Sequence, residues 1–62
     1  MRNKILELRK VKGLTQDNLA KKCNVTRQTI NAIENNKYDP TLQLAFKIAK
    51  VLSVKIDDIF QP

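Results

Sequence analysis

Arg27, Gln28, Asn31, Asn35 and Lys37 crowd one short stretch, NVTRQTINAIENNKY, over residues 24–38. All five are hydrogen-bonding side chains suited to recognition. An Arg fork matches the paired acceptors of a guanine edge, and Gln or Asn matches the donor–acceptor pair of adenine. The only acid in the stretch is Glu34. A solvated helix face ordinarily mixes Glu with Lys, because both favour helix. Amides and cations in their place suit a polyanion, since Glu would repel phosphate.

Helical geometry sorts these residues into two faces. At 100° per residue, with Arg27 at zero, Asn31 falls at about 40°, Asn35 at about 80° and Gln28 at about 100°. Ile33 and Ile30 fall at about 240° and 300°, on the opposite side. The isoleucines are therefore predicted to face a core, and the Arg and amides to face away from it. Glu34, at about 340°, lies beside Ile30 and is expected to be half-buried.

Other chemistries lack their parts. The chain has no His and a single Cys23, so neither a zinc set nor an internal disulfide can form. No Gly-rich loop is present, and no hydroxyl or thiol has a suitable base nearby. No catalytic residue, metal or cofactor is therefore expected, nor any small-molecule ligand. Cys23 is expected to fill the core from the buried side of its helix. Asp57 and Asp58 are placed to complement a helix N-terminus, and Lys21 and Lys22 to add solvated charge.

The net charge of +6 is unevenly placed. Residues 1–38 hold nine Lys/Arg against three acids, whereas residues 39–62 hold three of each. The whole surplus sits in the first half, which points to nucleic acid or an anionic surface. A lipid surface is disfavoured, because the basic residues are interleaved with amides instead of Trp, Phe or Leu. No apolar run approaches the 18 or so residues of a membrane span. With a lone thiol and no export signal, a cytoplasmic location is expected.

Five helices must position the reading residues. The first is predicted from Asn3 to Lys12, with Ile5 and Leu8 on one face and Gly13 as its left-handed stop. Thr15 caps a second that runs to Cys23, with Asn18 three residues on. Asn24 is the non-glycine residue best able to take a positive φ. Thr26 caps a third through Asn35. Pro40 and Thr41 open a fourth over residues 41–52, and a short turn from Ile56 to Phe60 ends the chain. The fold is expected to be all-α in one domain over residues 1–62. A small ribbon between Met1–Asn3 and Phe60–Pro62 is the only extended pairing the sequence allows.

Residues 16–35 hold what two helices need to meet across a tight corner. Ala20 is small at the contact, Asn24 turns the chain, and Leu19, Val25, Ile30 and Ile33 lock the angle. That is a helix-turn-helix, whose second helix enters a major groove. The stretch Leu14-Thr15-Gln16, Leu19-Ala20, Val25-Thr26-Arg27-Gln28, Ile30, Ile33-Glu34-Asn35 and Lys37 resembles the phage-repressor and Cro-like, Xre-type DNA-binding family. So does Pro40-Thr41-Leu42 with Leu44, Ile48-Ala49 and Leu52. The resemblance runs through nearly the whole chain without gaps, and is strongest to short stand-alone dimeric repressors. Asn24 departs from the family, which most often has Gly there.

The resemblance implies a compact five-helix, lambda-repressor-like domain that binds double-stranded DNA. It makes Arg27 and Gln28 the principal base readers, with Thr29, Asn31 and Ala32 as secondary ones. Gln16, Thr26, Asn35, Lys37 and Tyr38 are implied as phosphate contacts, and Arg9 as the ion-pair partner of Glu34. The C-terminal segment, about residues 44–62 within the half of zero net charge, is expected to form a homodimer contact through Leu52, Ile56, Ile59 and Phe60. A repressor on a palindromic operator follows. The rival is an antitoxin or adaptor that uses the same fold to bind protein.

Overall fold

A computed structural model of the chain describes residues 2–61. In order, the elements are β1 (Arg2–Asn3), α1 (Ile5–Val11), α2 (Gln16–Lys22), α3 (Arg27–Glu34), α4 (Leu42–Leu52), α5 (Ile56–Ile59) and β2 (Phe60–Gln61). The helical architecture is the expected one, with ends trimmed by one or two residues. The two strands pair antiparallel, Arg2 with Gln61 and Asn3 with Phe60. Met1 and Pro62, included in the expected ribbon, lie outside the described residues.

Each boundary has a local cause. The hydroxyls of Thr15, Thr26 and Thr41 accept the backbone N–H groups of Asn18, Thr29 and Leu44 at 3.0–3.2 Å, which starts α2, α3 and α4. The Asn18 side chain completes a capping box by accepting from Thr15 N. Lys55 cannot cap in this way, having no acceptor, and Asp58 accepts its N–H instead at 3.1 Å. The first four helices all stop on a left-handed residue: Gly13 (φ 71°), Asn24 (φ 58°), Asn36 (φ 60°) and Ser53 (φ 58°). At each stop the next residue's N–H returns to a carbonyl five positions back, at 2.9–3.0 Å.

That closing motif normally carries an apolar residue after the left-handed one, packed back on the helix. Leu14, Val25 and Val54 fill this position after α1, α2 and α4, and all three pack on the core. After α3 the position belongs to Lys37, which is exposed. The same backbone device is used four times, and only at α3 does it hold out a cation.

Ile5, Leu19, Cys23, Ile30, Ile33, Ile48, Leu52 and Ile59 make the centre of the core, each 0–1% exposed. At about 25 cal/mol per Å² of apolar surface, each large side chain here is worth roughly 1.5–3 kcal/mol. Leu8 is only half-buried, so Ile5 carries the inward face of α1 together with the aliphatic stem of Arg9. Leu52 and Ile59 are both fully buried in their own chain, which corrects their expected place in a dimer contact. Their apolar periodicity is satisfied inside the molecule. The large apolar side chains left outside are Leu6 and Val11 on α1 (41% and 82% exposed), Tyr38 beyond α3, and Leu42 (69%) and Phe46 (58%) on α4; half-buried Val54, Ile56 and Phe60 belong to the same C-terminal half as the last two.

Candidate nucleic-acid interface

Thr26 fixes the start of α3, so Arg27 and Gln28 occupy its first turn with Asn31 one turn on. Ile30 and Ile33 anchor the opposite side, 0% and 1% exposed. Gln16 is the first residue of α2 and stands alongside. Gln16, Arg27, Gln28 and Asn31 together line a shallow cleft of about 360 Å³. Gln16 thus meets residues eleven to fifteen positions further along the chain on one concave polar surface.

A hydrogen-bonded network underlies that surface. Arg9 Nε donates to Glu34 Oε2 at 2.9 Å and Arg9 Nη2 to Glu34 Oε1 at 3.2 Å, a two-pronged ion pair. The two side chains are 11% and 6% exposed. Arg9 Nη1 also donates to Leu14 O at 3.0 Å, tying the pair to the start of the helix-turn-helix. Gln16 Nε2 then donates to Glu34 Oε1 at 3.0 Å. The lone acid of the stretch is thereby neutralised and turned inward, where it orients Gln16 instead of repelling an incoming phosphate. From Gln16 the chain of contacts continues more loosely, with Asn31 Nδ2 to Gln16 Oε1 at 3.5 Å.

The expected site residues separate by what they already hold. Arg27 and Gln28 are exposed and make no hydrogen bond or ion pair with any described residue. Asn35 folds back along the helix, donating through Nδ2 to Asn31 O at 2.9 Å and to Asn31 Oδ1 at 3.2 Å. Asn31 is thus held from both sides. Thr26 and Thr29 share a hydroxyl–hydroxyl hydrogen bond of 3.0 Å, and Thr29 and Ala32 are half-buried. Lys37 and Tyr38 are exposed just beyond the α3 stop.

Two contacts had no trace in the sequence pattern. Asn3 Nδ2 donates to Ile33 O at 2.8 Å and to Asn36 Oδ1 at 3.2 Å, while Asn3 Oδ1 accepts Ile5 N at 3.2 Å. One amide therefore joins the ribbon, the start of α1 and the end of α3. The Gln16–Glu34 contact is the other. By contrast, the Asn31–Asn35 pair follows the i, i+4 rule and was open to discovery.

Cys23 is buried beneath the turn, and burial pushes its thiol above the ordinary value while nearby Lys47 pulls the other way. A thiol so placed is a poor nucleophile. Among the described residues, no helix is long and apolar enough to cross a membrane.

Comparison with known proteins agrees with this geometry. Residues 5–59 match the helix-turn-helix family. A helix-turn-helix-type transcriptional regulator of Methanocaldococcus jannaschii is 62% identical over 60 residues, spanning 97% of this chain and 91% of that one. The crystal structure of the restriction-modification controller protein C.AhdI from Aeromonas hydrophila superposes with a TM-score of 0.84 at 28% identity, over 90% of this chain and 85% of that one. The clp gene regulator ClgR of Corynebacterium glutamicum shares the fold, with a TM-score of 0.82 at 20% identity over 87% of this chain, which spans 57% of that longer chain.

Proposed function

The chain belongs to the Xre-type, Cro-like helix-turn-helix family of DNA-binding transcriptional regulators, and from that premise we propose that it is a homodimeric repressor of a palindromic operator. One observation carries the reading: Arg27 and Gln28 stand exposed at the start of α3 with no partner among the described residues, and the one acid of residues 24–38, Glu34, is held in an ion pair with Arg9. Arg27 reads guanine and Gln28 reads adenine, with each good two-pronged pair worth roughly 1–3 kcal/mol of discrimination. Asn31, Thr29 and Ala32 line the groove beside them. Gln16, Lys37 and Tyr38 hold phosphates, with Thr26 and Asn35 flanking them.

The dimer contact in this reading is the outer face of α4 with the α4–α5 groove: Leu42, Phe46, Val54, Ile56 and Phe60. This half of the chain carries no net charge, so a contact through it keeps the basic first halves of two copies, each +6 overall, away from the seam. Each copy measures 26 × 20 × 19 Å. Two side by side have room to hold their α3 helices one DNA turn apart, about 34 Å. Repression follows from occupying a promoter.

The same exposed apolar face would also serve an adaptor that binds protein. Electrophoretic mobility shifts across a salt series separate the two. A repressor holds a preferred duplex far more tightly than random duplex at physiological salt, by about 10³-fold or more. Retention that is equal for all sequences and vanishes with salt would sink the operator reading.

A further inference from the structure

A second cleft, of about 640 Å³, opens at the other end of α2 and shares no residue with the first. Gln16 begins α2 and Lys22 ends it, so the two clefts are separated by about 9 Å of helix axis. Lys12, Lys22, Lys47 and Lys50 ring this second cleft, and Leu14 and Val51 supply its apolar wall. Asn24, in the left-handed turn before α3, contributes a neutral amide.

The four lysines come together only by folding. Lys12 caps the end of α1, Lys22 ends α2, and Lys47 and Lys50 lie three apart on α4. Among the described residues none of them forms an ion pair, and no acid lines the cleft. Lys21, by contrast, pairs with Asp17 at 3.2 Å. The C-termini of α1 and α2 bring about half a negative charge each, which leaves a surplus of roughly three positive charges. Gathering like charges opposes folding, and a multivalent anion would relieve that.

The cleft is also more than a charged patch. Leu14 and Val51 are half-buried, and each leaves part of its side chain facing the opening. A ligand that satisfies the whole site carries several negative charges on a body with an apolar or planar face. The volume lies within the range of small-molecule sites, roughly 300–1,000 Å³.

We propose that this cleft binds an oligophosphate of the nucleotide class, with Lys12, Lys22, Lys47 and Lys50 on the phosphates and Leu14 and Val51 against the base or sugar. The site is independent of the DNA-reading surface, and the lysines it uses are not the ones that reading invokes. The sequence alone gave Lys22 no task beyond solvated charge, because its three companions lie 10, 25 and 28 residues away.

Isothermal titration calorimetry with adenosine triphosphate and, separately, with inorganic tripolyphosphate tests this. Three proteins are compared: the unaltered chain, Lys47→Gln/Lys50→Gln, and Arg27→Ala/Gln28→Ala. Gln keeps helix propensity at both α4 positions, and circular dichroism checks that each variant folds. The expected result is binding to the unaltered chain and to Arg27→Ala/Gln28→Ala alike, at least about tenfold weaker in the lysine variant. Tripolyphosphate should occupy the same site less tightly, since it lacks a body for Leu14 and Val51. No heat from either anion at about 1 mM would overturn the site. Binding lost in Arg27→Ala/Gln28→Ala but kept in the lysine variant would overturn it too. Equal affinity for the two anions would overturn the nucleotide class. Failure of operator binding leaves every one of these outcomes readable.

Discussion

The outer face of α3 and the outer face of α4 differ in what each leaves unmet. On α3, Arg27 and Gln28 project hydrogen-bonding groups that nothing in the described chain engages. On α4, Leu42 and Phe46 project apolar surface, 69% and 58% exposed. The charge follows the same divide, with the entire surplus in residues 1–38 and none in residues 39–62. One face suits a polyanion with readable edges, and the other suits a neutral apolar surface such as its own copy. Only the first is braced from beneath, by the Arg9–Glu34–Gln16 network.

That asymmetry is open to breaking, and the brace comes first because it should matter most. Glu34→Ala leaves the Arg9 guanidinium buried without its carboxylate, and should lower stability in urea denaturation by about 3 kcal/mol. A chain of this size has only roughly 3–9 kcal/mol in total, so a third or more of its stability would go. An unchanged midpoint would show that the brace does not matter. Phe46→Glu should do the reverse, leaving the unfolding of the monomer nearly unaltered while weakening dimerisation by about 2 kcal/mol or more in sedimentation equilibrium. Were the dimer to persist unchanged, α4 would not be its contact face.

The next two substitutions separate reading from holding within the α3 region. Arg27→Ala should cost roughly 1–3 kcal/mol on the preferred duplex and little on random duplex. Lys37→Ala should weaken both alike and reduce the slope of log K against log salt by about 1. Equal effects of the two on preferred and random duplex would erase the distinction. The smallest effect is expected at the turn. Asn24→Gly relieves a left-handed non-glycine residue at φ 58° and should stabilise by up to about 1 kcal/mol in thermal denaturation.

What could be read from the sequence was whatever is decided within one turn of chain. The Thr caps, the Gly13 and Asn24 stops, and the opposed faces of α3 all follow from residue type and spacing. The left-handed Asn36 was hidden by its neighbour Asn35, since either suits that backbone. Ser53 gave no signal, because serine rarely takes a positive φ. Contacts across the fold left no periodic mark: Gln16 to Glu34 spans 18 residues and Asn3 to Ile33 spans 30.

The misplacement of Leu52 and Ile59 has a different cause. Apolar periodicity tells which positions are covered, and not whether the cover is the same chain or another. Both residues are buried by their own chain, and Leu42 and Phe46 occupy the outside instead. The Lys37 position carried a readable clue that emerges only by comparison among helix ends. Three ends place an apolar residue there and one places a cation, the kind of local exception that marks a working surface.

Selection of bound sites from a randomised duplex pool, run in parallel with the unaltered chain, Arg27→Ala and Gln28→Ala, tests the central claim most directly. The unaltered chain should select two symmetric half-sites about one helical turn apart. Arg27→Ala should relax the preference at a guanine and Gln28→Ala should relax it at an adjacent adenine. The same consensus from all three proteins would contradict that claim.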